Sequence, residues 1–305
     1  MSVSVIHTSA ARMNVSENGQ EQIMHGTLSF PVACFDARAD RSGIIPHWHE
    51  SFEVLTVLNG VCVVCVGPSR ITLREGQGLF VNSGILHAMP SDDAGRGQFH
   101  SIVFSPHLIG GGLESVFWKK YTGPLAANTE LRASVFDGSE PWHAAAAASV
   151  LAAWDACALE EPGYEFAVRA ALSSVVLSIA RSSCAPPSPP TRRQTRSEQR
   201  VKRMMQYVHD NFAGDLSLAQ ICACAAVSQS EALRCFRETI GTTPMQYVKE
   251  YRLHRAAVYL ADTNLSAGEI GARCGFADAA YFSRSFRAWS GMSPTEYRRQ
   301  QRAAH

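Results

Sequence analysis

Gly275–Arg298 reads GFADAAYFSRSFRAWSGMSPTEYR, and the same pattern of residue types stands one copy earlier in the chain. The offset between the copies is 49 residues up to Phe276 and 50 after it, which indicates one added residue in the second turn. Each copy reads as a short helix, a tight turn and a second helix that ends at glycine before a proline. That order is typical of a helix-turn-helix unit, whose second helix, the recognition helix, fits a DNA major groove. The matching pairs are Ser217 and Ser266, Ile221 and Ile270, Val227 and Phe276, Arg234 and Arg284, Phe236 and Phe286, Arg237 and Arg287, Gly241 and Gly291, Pro244 and Pro294, and Tyr247 and Tyr297.

Capping residues predict where the helices of this region begin and end. Ser217 and Ser266 suit N-caps, because each hydroxyl can accept a hydrogen bond from a backbone N–H one turn on. Met245–Ala261 is predicted to be a connecting helix that sets the two recognition helices about 34 Å apart on one face of the DNA. The predicted helices are Ser197–Asn211, Leu218–Ala225, Ser228–Ile240, Met245–Ala261, Ala267–Cys274 and Asp278–Ser290.

Apolar residues four positions apart give each recognition helix a buried face and an outward face. The predicted buried pairs are Ala232 with Phe236 and Phe282 with Phe286. Arg234 and Arg284 are placed to reach guanine O6 and N7, a contact worth about 1–3 kcal/mol of base discrimination. Arg237 and Arg287 lie further along and suit phosphates; for any one arginine, a solvated surface charge is the alternative. The predicted DNA-binding residues are Gln229, Ser230, Leu233, Arg234, Arg237, Ala279, Ala280, Ser283, Arg284 and Arg287.

Residues 200–300 resemble the AraC/XylS family of bacterial transcription regulators. The resemblance rests on Gly275–Arg298, on SLAQI (Ser217–Ile221) and on SEALRCFRETIGTTPMQYVKEYRLHRAA (Ser230–Ala257). It implies an all-α, seven-helix domain that binds promoter DNA as a homodimer, often as an activator, with RNA polymerase as a further partner. Since Ala279 and Ala280 offer few hydrogen-bonding groups, the second unit is expected to contribute more to the affinity for DNA than to the recognition of bases.

The charge of the chain is divided between its two parts. Residues 191–305 carry 17 Lys and Arg against 10 Asp and Glu, a net of +7, whereas residues 1–190 carry 11 against 17, a net of −6. A basic C-terminal part suits a polyanionic partner such as double-stranded DNA. The sequence shows neither an export signal nor an apolar run of membrane-spanning length, and its nine cysteines are irregularly spaced. These features predict a cytoplasmic protein with reduced thiols and no membrane partner.

The whole chain is predicted to be an α+β multidomain protein. Residues 1–22 are expected to form a loosely ordered arm, and residues 23–110 a β-barrel, because short β-rich runs alternate with Gly, Pro and Asn turns. Residues 111–183 read as a helical segment that packs on the barrel or forms a dimer interface. Residues 184–197 are rich in proline and predict a stiff, extended linker to the DNA-binding domain, residues 198–305. The apolar stripe of the helical segment comprises Phe166, Ala170, Ser173, Val176, Leu177 and Ala180.

Three histidines and one glutamate form the candidate site of the barrel. The spacing places His47, His49 and Glu53 on one face of a strand by period two, and His87 comes from a later strand. Three imidazoles and a carboxylate have the composition of a first-row transition-metal site. The patterns His-x-His-x3-Glu-x6-Gly and Gly-x5-Asn-x-Gly-x2-His resemble the two motifs of the cupin barrel, with Asn82 where proline is usual.

Three interpretations of these four side chains stay open at this point. They hydrogen-bond a polar small-molecule effector, they hold a transition-metal ion, or they only satisfy one another. The fusion to a double helix-turn-helix domain predicts an effector-controlled, sequence-specific transcription regulator, an activator that is neither an enzyme nor dependent on a cofactor. The alternative from another class is a metal-dependent cupin enzyme in which DNA binding is secondary.

The cysteines are weaker candidates for a site. Cys62 and Cys65 have redox or zinc-ligand spacing, but three residues apart on a strand they are expected to face opposite sides, and no second pair follows. The helical cysteines are predicted to fill the core as small apolar residues. These are Cys222, Cys224, Cys235 and Cys274.

Overall fold

The computed structural model describes residues 6–9, 26–27, 29–38, 43–90, 97–182 and 192–303. Two β-sheets pack against each other in the N-terminal part. Their strands are β1 (Ile6–Ser9), β2 (Val32–Arg38), β3 (Ile44–His47), β4 (Phe52–Asn59), β5 (Val61–Val66), β6 (Ser69–Arg74), β7 (Gly78–Val81), β8 (His87–Met89), β9 (Gln98–Phe104) and β10 (Ala133–Phe136). The six-stranded sheet has the order β1-β2-β9-β4-β7-β10 and the four-stranded sheet the order β3-β8-β5-β6. Neighbouring strands are antiparallel, except that β1 and β2 are parallel.

Strand β4 shows how the sequence builds this barrel. Phe52 and Val54 belong to the apolar cluster under the helices, whereas Leu55 and Val57 belong to the cluster between the two sheets. The alternation follows the two-residue period of a strand. A strand that is apolar on both faces needs a packed layer on each side, which explains why β4 lies inside the six-stranded sheet. The predicted β-rich, cupin-like fold of the N-terminal part is confirmed.

Helices cover the outer face of the six-stranded sheet. They are α1 (Pro106–Gly110), a π-helical turn (Trp118–Thr122), α2 (Gly123–Ala127), α3 (His143–Leu159) and α4 (Tyr164–Ser182). Val150 and Ala153 of α3 and Leu172 of α4 share one buried cluster with Phe52 and Phe80 of the sheet. The helical segment therefore completes the N-terminal domain by burying the second face of its central strands.

The apolar stripe predicted for α4 is not the face that packs on the barrel, so of its two predicted roles only the dimer interface stays open. The residues that α4 buries are Val168, Leu172, Val175, Val176 and Ile179. Of the predicted stripe only Val176 is buried, and Phe166 is 79% exposed. Both faces of this helix are apolar, so spacing alone did not show which face packs on the sheet. Most of the predicted stripe instead lines a surface groove of about 620 Å³, together with Phe117 and Tyr121.

The described residues 192–303 form seven helices, as the family resemblance implies. They are α5 (Arg192–Asn211), α6 (Leu218–Cys224), α7 (Gln229–Ile240), α8 (Pro244–Asp262), α9 (Ala267–Arg273), α10 (Ala279–Ser290) and α11 (Pro294–Ala303). Ser217 and Ser266 each close a capping box with the residue three positions on. Gly241 and Gly291 end the recognition helices, α7 and α10, in the left-handed conformation. The predicted buried pairs of both recognition helices are confirmed.

Two boundaries of the barrel differ from prediction. Ile6–Ser9, placed by the sequence in a loosely ordered arm, forms β1 on the edge of the six-stranded sheet; residues 1–5 and 10–22 lie outside the described residues. Ala133–Phe136, placed in the helical segment, forms β10 on the opposite edge and pairs with β7. The barrel therefore extends beyond residue 110, because a four-residue strand between helices carries little periodic signal.

The predicted linker is too long at its C-terminal end. Helix α5 begins at Arg192, so that residues 192–197 of the predicted extended segment are helical. Pro190 is the last proline of this stretch, and the Arg and Gln residues after it favour helix. Residues 184–191 lie outside the described residues.

Gly271 allows the two helices of the second helix-turn-helix unit, α9 and α10, to pack closely. A Cβ on Gly271 would lie 2.9 Å from the ring of Phe282, which is shorter than van der Waals contact. The first unit has Cys222 and Ala232 at the equivalent positions, and both are buried. In the first unit the larger residue of this contact, Cys222, lies on the first helix and the smaller, Ala232, on the second. In the second unit the order is reversed, with the smaller residue on the first helix and the larger on the second.

Gly271→Ala is expected to lower the free energy of unfolding by about 1–3 kcal/mol, the usual cost of overpacking a core. The loss should occur although alanine has the higher helix propensity. Urea unfolding of the full-length protein, followed by circular dichroism, measures it. Adding Phe282→Leu should recover part of the loss, because the shorter side chain makes room. A Gly271→Ala protein as stable as the wild type would contradict this packing.

Candidate metal centre and DNA interface

Three histidines and a glutamate converge between the two sheets of the barrel. His47 and His87 lie opposite each other on β3 and β8, Glu53 lies on β4, and His49 lies in the turn between β3 and β4. The predicted placement of His47, His49 and Glu53 on one strand is wrong, because the chain crosses from one sheet to the other between His47 and Phe52. The crossing still brings the four side chains together, and all four are buried.

Backbone carbonyls orient the three imidazole rings. In each ring, Nδ1 donates a hydrogen bond, 2.8–3.0 Å long, to the carbonyl of a residue two positions away. Since a carbonyl can only accept, each neutral ring carries its proton on Nδ1 and has a lone pair on Nε2. Metal-binding histidines use this arrangement, in which one ring nitrogen is fixed by the protein and the other is left for the ion. The carbonyls belong to Ile45 for His47, Ser51 for His49 and Ile85 for His87.

Glu53 places a carboxylate against these rings. Its Oε2 lies 3.0 Å from His87 Nε2 and 3.4 Å from His49 Nε2, and its Oε1 accepts from the Ser101 hydroxyl at 2.6 Å. Burial alone would raise the pKa of Glu53, but the hydrogen bonds and charges of His49 and His87 hold that pKa well below its usual range. Glu53 is therefore ionised at neutral pH.

These donors fit a single metal ion. A carboxylate that faces imidazole lone pairs needs a positive charge between them, either an added ring proton or a cation. The four ligand atoms lie within 4.8 Å of one another. Ligand atoms around a tetrahedral zinc ion are roughly 3.4 Å apart, because its bonds to nitrogen and oxygen are about 2.0–2.2 Å. Small rotations would therefore bring the set into coordination distance, and the space among the four atoms is too small for an organic molecule.

Asn82, the departure from the usual cupin pattern, has a structural role that the sequence did not reveal. The two hydrogens of its buried amide nitrogen are shared among three carbonyl oxygens at 2.9–3.0 Å, and its backbone N–H donates to Arg132 O at 3.0 Å. A proline could make none of these bonds. Asn82 thereby fixes the segment that presents the Arg132 guanidinium to Glu198 of α5, at 2.6 Å. The three carbonyls belong to Leu125, Asn128 and Leu131.

The first recognition helix holds its central arginine in ion pairs. The guanidinium of Arg234 lies 2.7 Å from Glu231 and 2.5 Å from Glu238, and Glu231 also contacts Arg200 of α5 at 2.6 Å. Arg234 must therefore exchange carboxylates for a base edge before it can read guanine. The predicted DNA-binding residues Gln229, Ser230 and Arg237 are exposed, and Leu233 and Arg234 are half-buried.

The second recognition helix presents its charges differently. The repeat aligns the two acids of the first helix with uncharged residues, Tyr281 and Ala288. No carboxylate of the described residues lies within ion-pair distance of Arg284. Tyr281, which the sequence did not single out, is 47% exposed, and Lys249 Nζ lies 5.7 Å from its ring centre. The predicted residues Ala279, Ala280, Arg284 and Arg287 are exposed, and Ser283 is half-buried.

Glu238→Gln is expected to strengthen DNA binding about 3- to 10-fold in dilute buffer, since it removes a negative charge that competes with phosphates for the recognition helix. Fluorescence anisotropy with a labelled duplex, repeated over a range of salt concentrations, measures the change. Glu238→Asp, which keeps the charge, is the control and should bind like the wild type. Equal affinities for the Gln and Asp variants would show that this carboxylate lies away from the DNA.

In the described part of the chain, the cysteines belong to no group of three or more candidate metal ligands. Cys62 lies in the barrel core with Val64 and Val66, whereas Cys65 lies outside that cluster, as the strand period predicts. Cys224 is exposed, so its predicted place in the core is wrong. Among the described residues, no helix is both long and apolar enough to cross a membrane.

Comparison with known families assigns both parts of this chain. Residues 29–165 match the AraC-like ligand-binding domain, and residues 221–300 match a helix-turn-helix domain. The first match covers the barrel with the four converging side chains, and the second covers both recognition helices. The chain is therefore a DNA-binding transcription regulator with an N-terminal ligand-binding domain.

Two relatives of similar length match nearly the whole of this chain. The HTH-type transcriptional regulator YdeC of Bacillus subtilis is 24% identical over 288 residues, which are 93% of this chain and 97% of YdeC. The HTH-type transcriptional activator RhaS of Klebsiella pneumoniae is 26% identical over 292 residues, 90% of this chain and 96% of RhaS. The crystal structure of ToxT from Vibrio cholerae aligns with 83% of this chain and 90% of its own, with 10% identity and a TM-score of 0.45. This protein belongs to the AraC/XylS family of transcription regulators.

Proposed function

We propose that this regulator responds to a divalent first-row transition-metal ion, held by His47, His49, Glu53 and His87. The observation that carries the proposal is the convergence of three backbone-oriented imidazoles and one carboxylate within 4.8 Å. Imidazole and carboxylate suit zinc, iron, cobalt, nickel and manganese, so the composition names the class of ion and not its identity. In the metal-bound protein, the ion takes the place of a ring proton as the positive charge beside Glu53.

Two features favour a sensed ion over a polar organic effector or a catalytic metal. The space among the four ligand atoms is ion-sized, which leaves an organic effector no room at this place. All four ligands come from the protein and none is more than 6% exposed, whereas a catalytic metal keeps one position open to substrate. We therefore propose that the chain is a regulator without enzymatic turnover, in line with relatives that are named as regulators.

Metal titration and DNA footprinting of the full-length protein test this function. The protein, stripped with a chelator, should bind one equivalent of Zn²⁺ or Co²⁺, and Co²⁺ should develop a visible absorption band. Footprints on the DNA beside its own gene should protect about one and a half to two helical turns per subunit and should differ between metal-loaded and chelated protein. Absence of binding by any of the five ions, or metal-independent footprints, would overturn the proposal. Metal-dependent turnover of a small molecule would instead favour the cupin enzyme.

We further propose that the regulator acts as a homodimer through the surface groove between α4 and the π-helical turn. Monomeric proteins rarely expose a contiguous apolar patch of this kind without an interaction partner. Sedimentation equilibrium at micromolar concentration measures the oligomeric state, and a monomer there would contradict this part of the proposal. The large exposed apolar residues that line the groove are Phe117, Tyr121 and Phe166.

Promoter DNA as the partner implies that the protein works in the cytoplasm, and we propose activation through RNA polymerase as its mode of action. The support is the RhaS relative, which is named as a transcriptional activator. Transcription in vitro from a promoter beside the gene, with purified polymerase, measures the direction of the effect. A decrease in transcript on adding metal-loaded protein would identify a repressor instead.

A further inference from the structure

The two segments that hold ligand histidines also form a surface on which the DNA-binding domain docks. Ile45 precedes His47 by two residues, and Leu86 precedes His87 by one. The side chains of Ile45 and Leu86 lie in the same buried apolar cluster as Met204 of α5 and Phe236 of α7. Two barrel side chains therefore pack within the core of the first helix-turn-helix unit.

Polar contacts strengthen this docking on both segments. Lys202 Nζ of α5 donates to Gly84 O at 2.6 Å and lies 5.2 Å from the ring centre of Trp48. The hydroxyl of Tyr247, on α8, donates to Pro46 O at 3.4 Å. Burial lowers the pKa of Lys202, and the charge of Glu198 opposes that shift. The hydrogen bond of Lys202 forms only while the two domains are docked, because its acceptor, Gly84 O, belongs to the barrel.

The same backbone connects docking with the orientation of the metal ligands. The carbonyl of Ile45 accepts the Nδ1 hydrogen bond of His47, while the Ile45 side chain lies in the DNA-binding domain. The carbonyl of Ile85 accepts from His87, and its neighbours Gly84 and Leu86 contact that domain. The segments that contact the DNA-binding domain are therefore the same segments whose carbonyls orient the two imidazole rings.

We propose that metal binding and docking are coupled, such that an ion bound at the four-residue site stabilises the docked arrangement of the first helix-turn-helix unit. The proposal rests on the metal-sensing function proposed above. In the docked arrangement the four ligand atoms already lie within 4.8 Å of one another, so little movement is needed to bind an ion there. A ligand that binds one arrangement better shifts the equilibrium towards it, and by linkage the arrangement raises the affinity for the ligand equally.

The docked arrangement leaves the first recognition helix accessible. Gln229 and Ser230, in its first turn, and Arg237 are exposed while the barrel is docked. Docking uses α5, the start of α8 and the buried side of α7 instead. The ion therefore fixes the position of the first unit relative to the barrel without covering its DNA-facing surface.

A double variant at the docking surface, Lys202→Met with Glu198→Gln, tests the coupling. It removes the Lys202 bond to Gly84 O and the ion pair of Glu198 with Arg132, and neither residue is a metal ligand. Competition with a chromophoric chelator should show that Zn²⁺ binds the full-length double variant about 5- to 10-fold more weakly than the wild type, at the lower end of typical coupling between sites. The control, Lys119→Met with Glu114→Gln, makes the same changes in an exposed ion pair of the helical segment and should leave Zn²⁺ affinity unchanged.

Hydrogen exchange supplies a second measurement that needs no variant. The backbone amides of α5 should exchange more slowly in wild-type protein loaded with Zn²⁺ than in chelated protein, because the ion holds the domain on the barrel. Unchanged Zn²⁺ affinity in the double variant, or equal exchange of α5 with and without Zn²⁺, would overturn the coupling while leaving the metal-sensing function intact. Failure of the wild type to bind Zn²⁺, Co²⁺ or the other ions would overturn both.

Discussion

Arg284→Ala is expected to reduce affinity for the specific DNA site by about 5- to 150-fold, the range that corresponds to about 1–3 kcal/mol for a bidentate arginine–guanine contact. The second recognition helix exposes Arg284 without a carboxylate of the described residues in ion-pair distance. This guanidinium can therefore reach DNA without first breaking an ion pair. Gel-shift titration against the site mapped by footprinting, with random duplex as competitor, measures the loss.

Two further variants distinguish the contribution of base contacts to DNA affinity from the contribution of positive charge. Arg284→Lys keeps the charge but loses the planar fork of donors, so it should bind random DNA like the wild type and lose preference for the specific site. Arg287→Ala should weaken binding to all sequences alike and reduce the slope of log affinity against log salt by about 1. If Arg284→Ala and Arg284→Lys both bound the specific site with wild-type affinity, the second unit would supply no base contact at this position.

The repeat allowed most of the DNA-binding domain to be predicted, because it gave two independent copies of each signal. The capping serines, the glycines after the recognition helices and the buried phenylalanines all follow from local sequence. The ion pairs of Arg234 were also visible in the sequence, since Glu231 and Glu238 stand three and four residues from it, where helical side chains meet. Reading those spacings would have indicated that the two recognition helices differ in charge.

The barrel site could be predicted in composition but not in arrangement. His47, His49 and Glu53 look like one strand because their spacing has the period of a strand, and only the structure shows the chain changing sheets between them. The docking surface carried no sequence signal at all. Lys202 and its acceptor Gly84 are 118 residues apart, and Ile45 and Leu86 read as ordinary core residues of the barrel.

Glu53→Gln is expected to weaken metal binding by at least about 100-fold, since losing a group that only supports a ligand already costs 10- to 100-fold. The change removes the one anionic ligand and leaves a neutral oxygen in its place, so the ion loses its charge partner in a buried site. The Ser101 hydroxyl, which now donates to Oε1 at 2.6 Å, can donate equally to the amide oxygen. The barrel should therefore still fold, and chelator competition on the full-length protein measures the affinity.

The chain provides a matched control for this variant in the turn between β6 and β7. Glu75 is exposed and lies outside the four-residue set, so Glu75→Gln should bind Zn²⁺ with wild-type affinity. In the Glu53→Gln protein, metal-dependent changes in the footprint should disappear together with metal binding, because the ion acts through this site. A Glu53→Gln protein that bound Zn²⁺ as tightly as the wild type would show that the three histidines, or other residues, hold the ion without the carboxylate. If the wild type bound no metal and Glu53→Gln changed only the unfolding temperature, the four side chains would be a mutually satisfied polar cluster.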